Sequence, residues 1–405
     1  MKRLISILTA LTLCLAILLL PGCDWLKPRK PKVPTTYPYV FVHGLNGFGD
    51  DAGSPVSYWG ATGGALLPAL EGKGTMCFAP SVDPVGSAWD RACELYAVLA
   101  GGVVDYGAAH SAEHGHERFG KDCGAALFGD WGTVDANGNL RKVNLIAHSF
   151  GGATARLLCA LLQNGAPEER LAAGENCSAL FAGGKGDWVF SLTCLAAPHN
   201  GVSLLTMLDV NPLLAGLASL LSNASLDSVL NQLGFTFGGK GIGEVLRAAK
   251  TMDTAYYDLS ITGAQEVNAR IGRLCPETYY FSYPVAGTDE NGRPTADMAA
   301  AYRLLGMAIG GFTSPENGID DTWRANDCLV NTVSATYPFK EPYLAVLDAK
   351  TLAPGVLKPA AWYVMPTVKG DHGSVIGLGR TLEETLPLYT EIIQRVDALS
   401  RYVTG

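Results

Sequence analysis

The feature that most constrains this chain is a single serine between an apolar, strand-like run and an amphipathic helical pattern. The segment runs from Val143 to Gln163 and reads VNLIAHSFGGATARLLCALLQ. The apolar residues before the serine are typical of a buried strand, and the leucines after Gly152 recur at helical spacing. Ser149 is therefore predicted at a sharp strand-to-helix turn, where glycines permit a tight backbone and the serine oxygen is exposed. Ala147 stands where the GxSxG pattern of such turns has its first glycine.

Length and charge limit the classes of protein to consider. The chain has 405 residues, of which 48% are hydrophobic, so it can bury a large core as one elaborated domain or two. Its formal net charge is -8, whereas nucleic acids are usually held by clustered lysines and arginines. We therefore expect no nucleic-acid partner, and no pattern in the sequence indicates an obligate protein partner.

The N-terminal segment has the pattern of an export signal. In residues 1–22, two basic residues precede a long apolar run. The run ends in LPGC, which resembles the bacterial lipobox, whose cysteine is lipidated and becomes N-terminal after cleavage. We therefore expect a lipid on Cys23 and a proline- and lysine-rich tether over residues 23–36, with the protein on the outer face of the bacterial cell membrane or secreted. The alternatives are an ordinary signal peptide or a membrane anchor with an incidental cysteine.

The remaining cysteines do not indicate a disulfide framework. Loss of Cys14 with the signal peptide and lipidation of Cys23 would leave eight of the ten cysteines. No CxxC pattern occurs, and several cysteines lie in apolar runs, where free thiols are commonly buried. Export permits disulfides without requiring them, so we expect few.

Chain order selects a candidate base for the serine. In α/β-hydrolases the catalytic groups follow the order serine, then Asp or Glu, then histidine. Only His199 and His372 follow Ser149. His199 comes directly after the strand-like VFSLTCL and leaves no room for an acid on a later strand. His372 lies in a glycine-rich loop before the C-terminal helical pattern and is the predicted base. The alternative is a histidine of a surface loop.

The candidate acid is Asp327, which lies in NDCLVNTVS before a short apolar run. Asp320 and Asp321 are rivals on the same grounds. A carboxylate in this role holds the imidazole in the tautomer that accepts the serine proton and stabilises the imidazolium that forms.

An early turn is expected to supply part of an oxyanion hole. The strand-like run Tyr39–Val42 is followed by HGLNG, and a backbone amide from such a turn joins the amide after the nucleophile in these enzymes. The predicted donors are the amides of Leu45 and Phe150. The alternative is that HGLNG is only a tight turn.

Several long segments, in order, resemble the thermoalkalophilic, zinc-containing bacterial lipases (lipase family I.5), relatives of the staphylococcal lipases. The resemblance begins near Tyr37 and continues to the C-terminal helix. It implies Ser149 as nucleophile, Asp327 as acid and His372 as base, and alanine at position 147 is usual in that family. The segments that carry it are PYVFVHGLNGFG, SAWDRACELYAVLAGGVVDYGAAHSAEHGHERFG, VNLIAHSFGGATARLL, DTAYYDLSITGA and GIDDTWRANDCLVNTVS.

The resemblance also implies the architecture. We expect an α/β-hydrolase domain over residues 37–405, with a mostly parallel central sheet flanked by helices. An inserted zinc subdomain is expected at about 85–120 and 245–260, and a helical lid at about 202–235.

A structural zinc site is the second implication of the resemblance. The family's four ligands correspond to Asp90, His110, His116 and Asp253, and all four residue types match. Taken alone, these histidines are more typical of a solvated polar loop. Four protein ligands would close the site to water, so the zinc is expected to stabilise the subdomain rather than to hydrolyse substrate. His114 is expected to lie beside the site without binding.

A calcium site of the same family is not expected here. The carboxylate positions after the catalytic histidine correspond to Ser374 and Gly379, and Arg380 lies beside them. Calcium requires several oxygen ligands and usually carboxylate charge.

The lid is predicted from a leucine-rich segment that follows Asn211-Pro212, a plausible helix start. An amphipathic cover that exposes leucines when it opens would suit long acyl chains. The alternative is a buried core helix. The leucines at helical spacing are Leu213, Leu214, Leu217, Leu220 and Leu221.

Three functions remain in consideration. The first is a lipase that hydrolyses acylglycerol esters at a lipid interface through an acyl-enzyme. The second has the same chemistry on short esters, phospholipids or polyesters. The third is a noncatalytic surface lipoprotein that binds ligands on a hydrolase scaffold, against which a complete set of serine, histidine and acid argues.

Overall fold

The computed structural model describes residues 35–54, 56–211 and 242–405. The predicted signal peptide, Cys23 and nearly all of the tether lie outside the described residues. The predicted lid lies outside them from residue 212 to the end of its expected range.

The centre of the fold is a seven-stranded sheet with the strand order β2-β1-β5-β6-β7-β10-β9. Every neighbouring pair in it is parallel, which confirms the predicted mostly parallel central sheet. Two smaller ladders pair β3 with β4 antiparallel and β8 with β11 parallel. The strands are β1 Tyr39–Val42, β2 Cys77–Phe78, β3 Val103–Asp105, β4 Phe119–Asp122, β5 Val143–His148, β6 Val189–Leu195, β7 Tyr279–Tyr283, β8 Val285–Ala286, β9 Tyr343–Ala345, β10 Trp362–Val364 and β11 Val368–Lys369.

Helices flank the sheet on both faces. On one face α2 and α4 contribute to a core cluster, and on the other α1 and α11 do so. The helices are α1 Leu66–Glu71, α2 Ala88–Ala100, α3 Ala108–His114, α4 Gly151–Asn164, α5 Pro167–Ala173, α6 Ser203–Val210, α7 Ile242–Ala248, α8 Ala255–Leu259, α9 Ile261–Ile271, α10 Arg303–Gly311 and α11 Leu382–Thr404.

Strand β1 shows why the sheet needs helices on both faces. Its side chains alternate in direction, as in any strand. Val40 and Val42 belong to the cluster under α2 and α4, whereas Tyr39 and Phe41 belong to the cluster under α11. All four are buried, so the strand reads as a continuous apolar run, which is typical of a parallel sheet covered twice.

A glycine sets the distance between α4 and the end of β1. A Cβ atom added to Gly151 would lie 2.4 Å from the carbonyl oxygen of Val42 and 2.7 Å from that of His43. Real Cβ atoms do not approach backbone that closely, so a larger residue here would push the helix away from the strand. Gly151, two residues after the serine, therefore allows the start of α4 to lie against the loop that follows β1.

The described part of the chain contains no helix with both the length and the apolar character needed to cross a bilayer. Its eight cysteines are free thiols, and six of them are buried.

Candidate active site

Ser149 lies between β5 and α4 in a left-handed backbone conformation, with φ at 55°. A residue with a side chain adopts this conformation only where the surrounding structure holds it. Its amide donates to the carbonyl oxygen of Leu195 at the end of β6. A Cβ atom on Gly44 would come within 2.8 Å of the Ser149 Cβ, so the loop after β1 can approach the serine only because that residue is glycine. The predicted strand-to-helix turn is therefore present in the structure.

The structure brings together the three side chains that were predicted to act on the ester. His372 Nε2 lies 2.8 Å from Ser149 Oγ, and His372 Nδ1 lies 2.8 Å from Asp327 Oδ2. All three residues are buried, with Asp327 fully so. A ring that donates from Nδ1 to the carboxylate has its Nε2 lone pair directed at the serine hydroxyl.

Backbone hydrogen bonds hold Asp327 in place. Its second carboxylate oxygen, Oδ1, accepts from the amides of Leu329 and Val330, at 3.0 Å and 2.7 Å. Its own carbonyl oxygen accepts from the amide of His372. Each oxygen of this fully buried carboxylate therefore has a hydrogen-bond donor, which offsets part of the cost of burying it.

The rival residues lie elsewhere. Asp320 and Asp321 are exposed and belong to a short turn, where Asp320 accepts from the amide of Thr322. His199 is buried against Trp362, with 4.7 Å between ring centroids. Neither of its ring nitrogens has a hydrogen-bond partner among the described residues.

Leu45 and Phe150, whose amides were predicted as oxyanion donors, lie on the two segments that meet at Ser149. Phe150 follows the serine directly, and Leu45 follows Gly44, the glycine in contact with it. Within the described ranges, no protein acceptor takes the amide proton of either residue. Both amides are therefore available to a developing oxyanion.

A hydrogen-bond chain that the sequence did not indicate connects the loop after β1, which contains Gly44, with the backbone of His372. The amide of Gly44 donates to the Tyr58 hydroxyl at 2.9 Å, and this hydroxyl lies 2.6 Å from His148 Nδ1. His148 Nε2 lies 3.0 Å from the carbonyl oxygen of His372. Because that carbonyl can only accept, Nε2 donates and Nδ1 accepts from Tyr58. Burial lowers the pKa of His148 well below its usual value, which suits this neutral tautomer.

The four predicted metal ligands form a cluster beside α2. Asp90, His110, His116 and Asp253 offer ligand atoms that all lie within 4.8 Å of one another. His110 Nε2 is 3.2 Å from Asp90 Oδ1 and 3.1 Å from Asp253 Oδ1. His116 Nε2 is 3.3 Å from Asp253 Oδ2. The residues converge from four separate points of the chain, as ligands of one ion would.

Two atoms of this cluster lack hydrogen bonds of good geometry although they are buried. They are His116 Nε2 and Asp253 Oδ1. Burial lowers the pKa of His110, but its close contacts with the carboxylates of Asp253 and Asp90 outweigh burial and raise the pKa to about 9. Negative charge at the cluster therefore favours a cation there, whether a proton or a metal. His114 lies with its ring centroid 4.5 Å from that of His110 and is not one of the four.

The positions predicted to have lost calcium ligands have other contacts. Ser374 donates from its hydroxyl to the carbonyl oxygen of Asp371. The guanidinium of Arg380 donates to the carbonyl oxygen of Lys369 at 3.3 Å. Gly379 has φ at 67°, a conformation that favours glycine over a carboxylate residue.

Comparison with known proteins gives consistent matches over most of the chain. The family model described as "Lipase-like, C-terminal domain" matches residues 35–397. The lipase of Staphylococcus hyicus is 36% identical over 375 residues, which cover 87% of this chain and 55% of that protein. This chain thus spans about half the length of the curated relatives it matches.

Solved structures match over nearly their whole length. The crystal structure of the S. hyicus lipase has a TM-score of 0.73 at 32% identity and covers 93% of this chain and 99% of its own. The structure of lipase 1 from Pelosinus fermentans has a TM-score of 0.70 at 32% identity and covers 88% of this chain and 98% of its own.

The buried His199 makes stability depend on pH. Burial, with a smaller contribution from Arg156, lowers the pKa of His199 well below its usual 6.5. The unfolded chain therefore binds a proton at this residue below pH 6.5 that the folded protein does not, and its contribution to stability is lost as pH falls. When the pH is lowered from 8 to 5, the free energy of unfolding should fall in both proteins. We expect the fall to be about 2 kcal/mol smaller in His199→Phe than in the wild type.

This expectation is checked by urea unfolding of both proteins at pH 8 and pH 5. Any cost of fitting the larger phenylalanine ring is the same at both pH values and cancels in the comparison. Equal losses in the two proteins would show that His199 is protonated, or exposed, in the folded state.

Proposed function

The chain belongs to the family described by the lipase-like C-terminal domain model, and from this we propose that it is a serine carboxylic ester hydrolase that cleaves acylglycerol esters. The observation that carries the proposal is the pair of 2.8 Å contacts that connect Ser149 through His372 to Asp327. We propose further that the fold is that of an α/β-hydrolase. The parallel sheet, the serine turn after β5 and the chain order of the three side chains support this.

The geometry supports a defined first half-reaction. Ser149 Oγ attacks the ester carbonyl carbon while its proton passes to His372 Nε2, 2.8 Å away. The resulting imidazolium is stabilised by Asp327, which accepts from Nδ1. The negative charge on the former carbonyl oxygen is held by the amides of Leu45 and Phe150. His372 then donates its proton to the departing alcohol, which leaves Ser149 acylated.

The second half-reaction repeats these steps with water. The oxygen of a water molecule attacks the acyl carbon while His372 accepts a proton from that water. The same two amides hold the second oxyanion. The proton then returns to Ser149 Oγ and the carboxylic acid leaves. No additional group is needed for hydrolysis, so the metal cluster has no assigned step.

Acylglycerols are proposed as substrates because the relatives that match most of this chain are named lipases. The predicted leucine-rich lid would suit substrates at a lipid interface. Cys23 is proposed as a lipid attachment site that keeps the exported protein on the outer face of the cell membrane. Both segments lie outside the described residues, so these two proposals depend on the sequence.

We propose zinc as the ion of the cluster formed by Asp90, His110, His116 and Asp253. Bonds of about 2.0–2.1 Å in a tetrahedron put ligand atoms about 3.4 Å apart. The three close ligand pairs in the structure are separated by 3.1 to 3.3 Å. The two buried atoms without good hydrogen bonds also fit ligation. A bound zinc would connect α2, α3 and the turn before α8, and would stabilise that part of the fold.

The proposed activity is tested by hydrolysis assays on single variants. We expect Ser149→Ala to abolish ester hydrolysis, because no other group takes over the attack. Asp327→Asn should lower kcat on the order of 10⁴-fold, because the imidazole then adopts the wrong tautomer. Asp320→Asn is the matched control and should leave kcat unchanged, since that carboxylate is exposed in a separate turn. Hydrolysis by Ser149→Ala at the wild-type rate would mean that the site lies elsewhere.

The substrate class is decided in the same assays by comparing emulsified triolein with soluble short-chain esters. A rise in rate above the solubility limit of the ester supports a lidded lipase. Activity on soluble esters without such a rise would assign the enzyme to short esters instead.

The metal proposal is tested by elemental analysis of protein purified without added zinc. We expect about one zinc per chain, and a lower melting temperature after removal by a chelator. His116→Ala should lose the metal, whereas His114→Ala, a neighbouring histidine outside the cluster, should retain it. Folded, active protein without bound metal would contradict the proposal.

A further inference from the structure

Arg91 is a fully buried arginine on α2 that the proposed reaction does not use. None of its surface is exposed, and it forms no ion pair with a carboxylate among the described residues. Burial lowers its pKa to about 10, so it remains charged at neutral pH. A buried charge without an ionic partner is costly, and its hydrogen bonds indicate what it does there.

Its guanidinium donates to backbone carbonyls of the loop after β1, which contains His43, Gly44 and Leu45. Nη2 donates to the carbonyl oxygen of His43 at 2.5 Å, and Nη1 donates to that of Gly44 at 3.3 Å. Nη1 also donates to the carbonyl oxygen of Asp83 at 2.8 Å. A planar guanidinium can serve several acceptors with fixed geometry, which a lysine ammonium on its flexible stem does not.

The carbonyl of Gly44 belongs to the same peptide group as the amide of Leu45. In a trans peptide the C=O and N–H bonds point in opposite directions. A Gly44 carbonyl held towards Arg91 therefore turns the Leu45 N–H away from Arg91. The same rule applies one residue earlier, where the His43 carbonyl is bound by Arg91 and the Gly44 amide donates to Tyr58 on the other side.

His43 reinforces this orientation from its own side chain. Its Nε2 accepts from the amide of Val82 at 3.1 Å, so its Nδ1 is the donor to the Gly44 carbonyl oxygen at 2.9 Å. Burial and the charge of Arg91 lower the pKa of His43 to about 3, which keeps this neutral tautomer. The Gly44 carbonyl oxygen therefore accepts from Arg91 and from the His43 ring, and also from the amide of Gly47 at 3.2 Å. These hydrogen bonds together fix its direction.

Arg91 also contacts the segment that supplies the second amide. Its Nε donates to Thr154 Oγ1 in the first turn of α4 at 2.9 Å. Its guanidinium carbon lies 5.3 Å from the centre of the Phe150 ring, within the range of a cation–π contact. One side chain thus joins the loop of Leu45 to the turn of Phe150.

We propose that Arg91 is a positioning residue that holds the amides of Leu45 and Phe150 in the geometry that binds the oxyanion. The inference rests on the proposed ester hydrolysis and extends it to a residue outside the serine, histidine and aspartate set. Arg91 acts through the backbone groups it orients and does not contact the ester.

The test compares Arg91→Lys with the wild type in two assays. In the first, kcat and KM are measured for a soluble p-nitrophenyl ester across pH. We expect kcat to fall about 10²-fold, as when one oxyanion donor is lost. KM and the midpoint of the pH profile should stay within about threefold and a few tenths of a pH unit, because His372 and Asp327 keep their contacts.

The second assay measures the affinity of a trifluoromethyl ketone by ¹⁹F NMR. This compound adds reversibly to the serine and forms a tetrahedral oxyanion without turnover. Its affinity should fall by the same factor as kcat, since both depend on the same two amides.

Arg156→Lys is the matched control. Like Arg91, Arg156 is a buried arginine, but it lies on α4 and pairs with Glu341. It should leave both readouts unchanged.

If Arg91→Lys does not fold, the variant Thr154→Val tests the role of Arg91 in the same two assays. It removes the Nε contact at nearly constant volume, together with the long 3.5 Å hydrogen bond from the Thr154 hydroxyl to the Phe150 carbonyl oxygen, which the Thr154 amide continues to bind. We expect parallel losses of about fivefold, because one good hydrogen bond of about 1 kcal/mol is removed.

The outcomes separate the two proposals. A wild type that neither hydrolyses esters nor forms the ketone adduct contradicts the proposed function. A wild type that does both, with unchanged kcat and adduct affinity in a folded Arg91→Lys or, failing that, Thr154→Val, overturns the role of Arg91. A loss of kcat accompanied by a shifted pH midpoint, or an equal loss in Arg156→Lys, also overturns it by indicating general structural damage.

Discussion

The left-handed backbone of Ser149 is the constraint on which the candidate site depends. Such a conformation costs on the order of 1–3 kcal/mol and persists only when neighbouring structure holds it. Here the amide of Ser149 is bound by β6, and α4 begins against the end of β1 because Gly151 has no side chain to separate them. The strained turn determines where the catalytic groups lie. It directs the serine hydroxyl at His372 and places the amide of Phe150 directly after the nucleophile.

Two hydrogen-bond systems on opposite sides fix the loop that faces this turn. On one side Tyr58 and His148 connect the Gly44 amide to the backbone of His372. On the other side the Arg91 guanidinium binds the carbonyls of His43 and Gly44. Arg91 is preceded on α2 by Asp90, a member of the proposed metal cluster. The same helix turn therefore connects the proposed metal cluster, which has no assigned step in hydrolysis, with the loop that is proposed to hold the oxyanion.

Much of this site could be predicted from local patterns and chain order. The apolar run before Ser149 and the leucine spacing after it predicted the strand and helix that the structure contains. Order along the chain left His372 as the base, but it could not separate Asp327 from Asp320 and Asp321, because burial is not visible in a local pattern. In the proposed metal cluster, Asp90 and Asp253 lie far in sequence from the two histidines, and the histidines alone are typical of a polar loop, so only family resemblance suggested the full set. Tyr58 and Arg91 were missed because the fold alone brings them near the backbone and side-chain groups that they contact. A charged residue on the apolar face of α2, between Ala88 and Ala92, was the available signal for Arg91.

The proposed reaction requires that Ser149 carries the acyl group during turnover. The most direct measurement is mass spectrometry of protein quenched in acid while it hydrolyses a slow p-nitrophenyl ester. We expect a mass increase equal to one acyl group, located on the peptide that contains Ser149 and absent in Ser149→Ala. An acyl group on another residue, or steady hydrolysis with no acylated protein even in a variant whose deacylation is slowed, would contradict it.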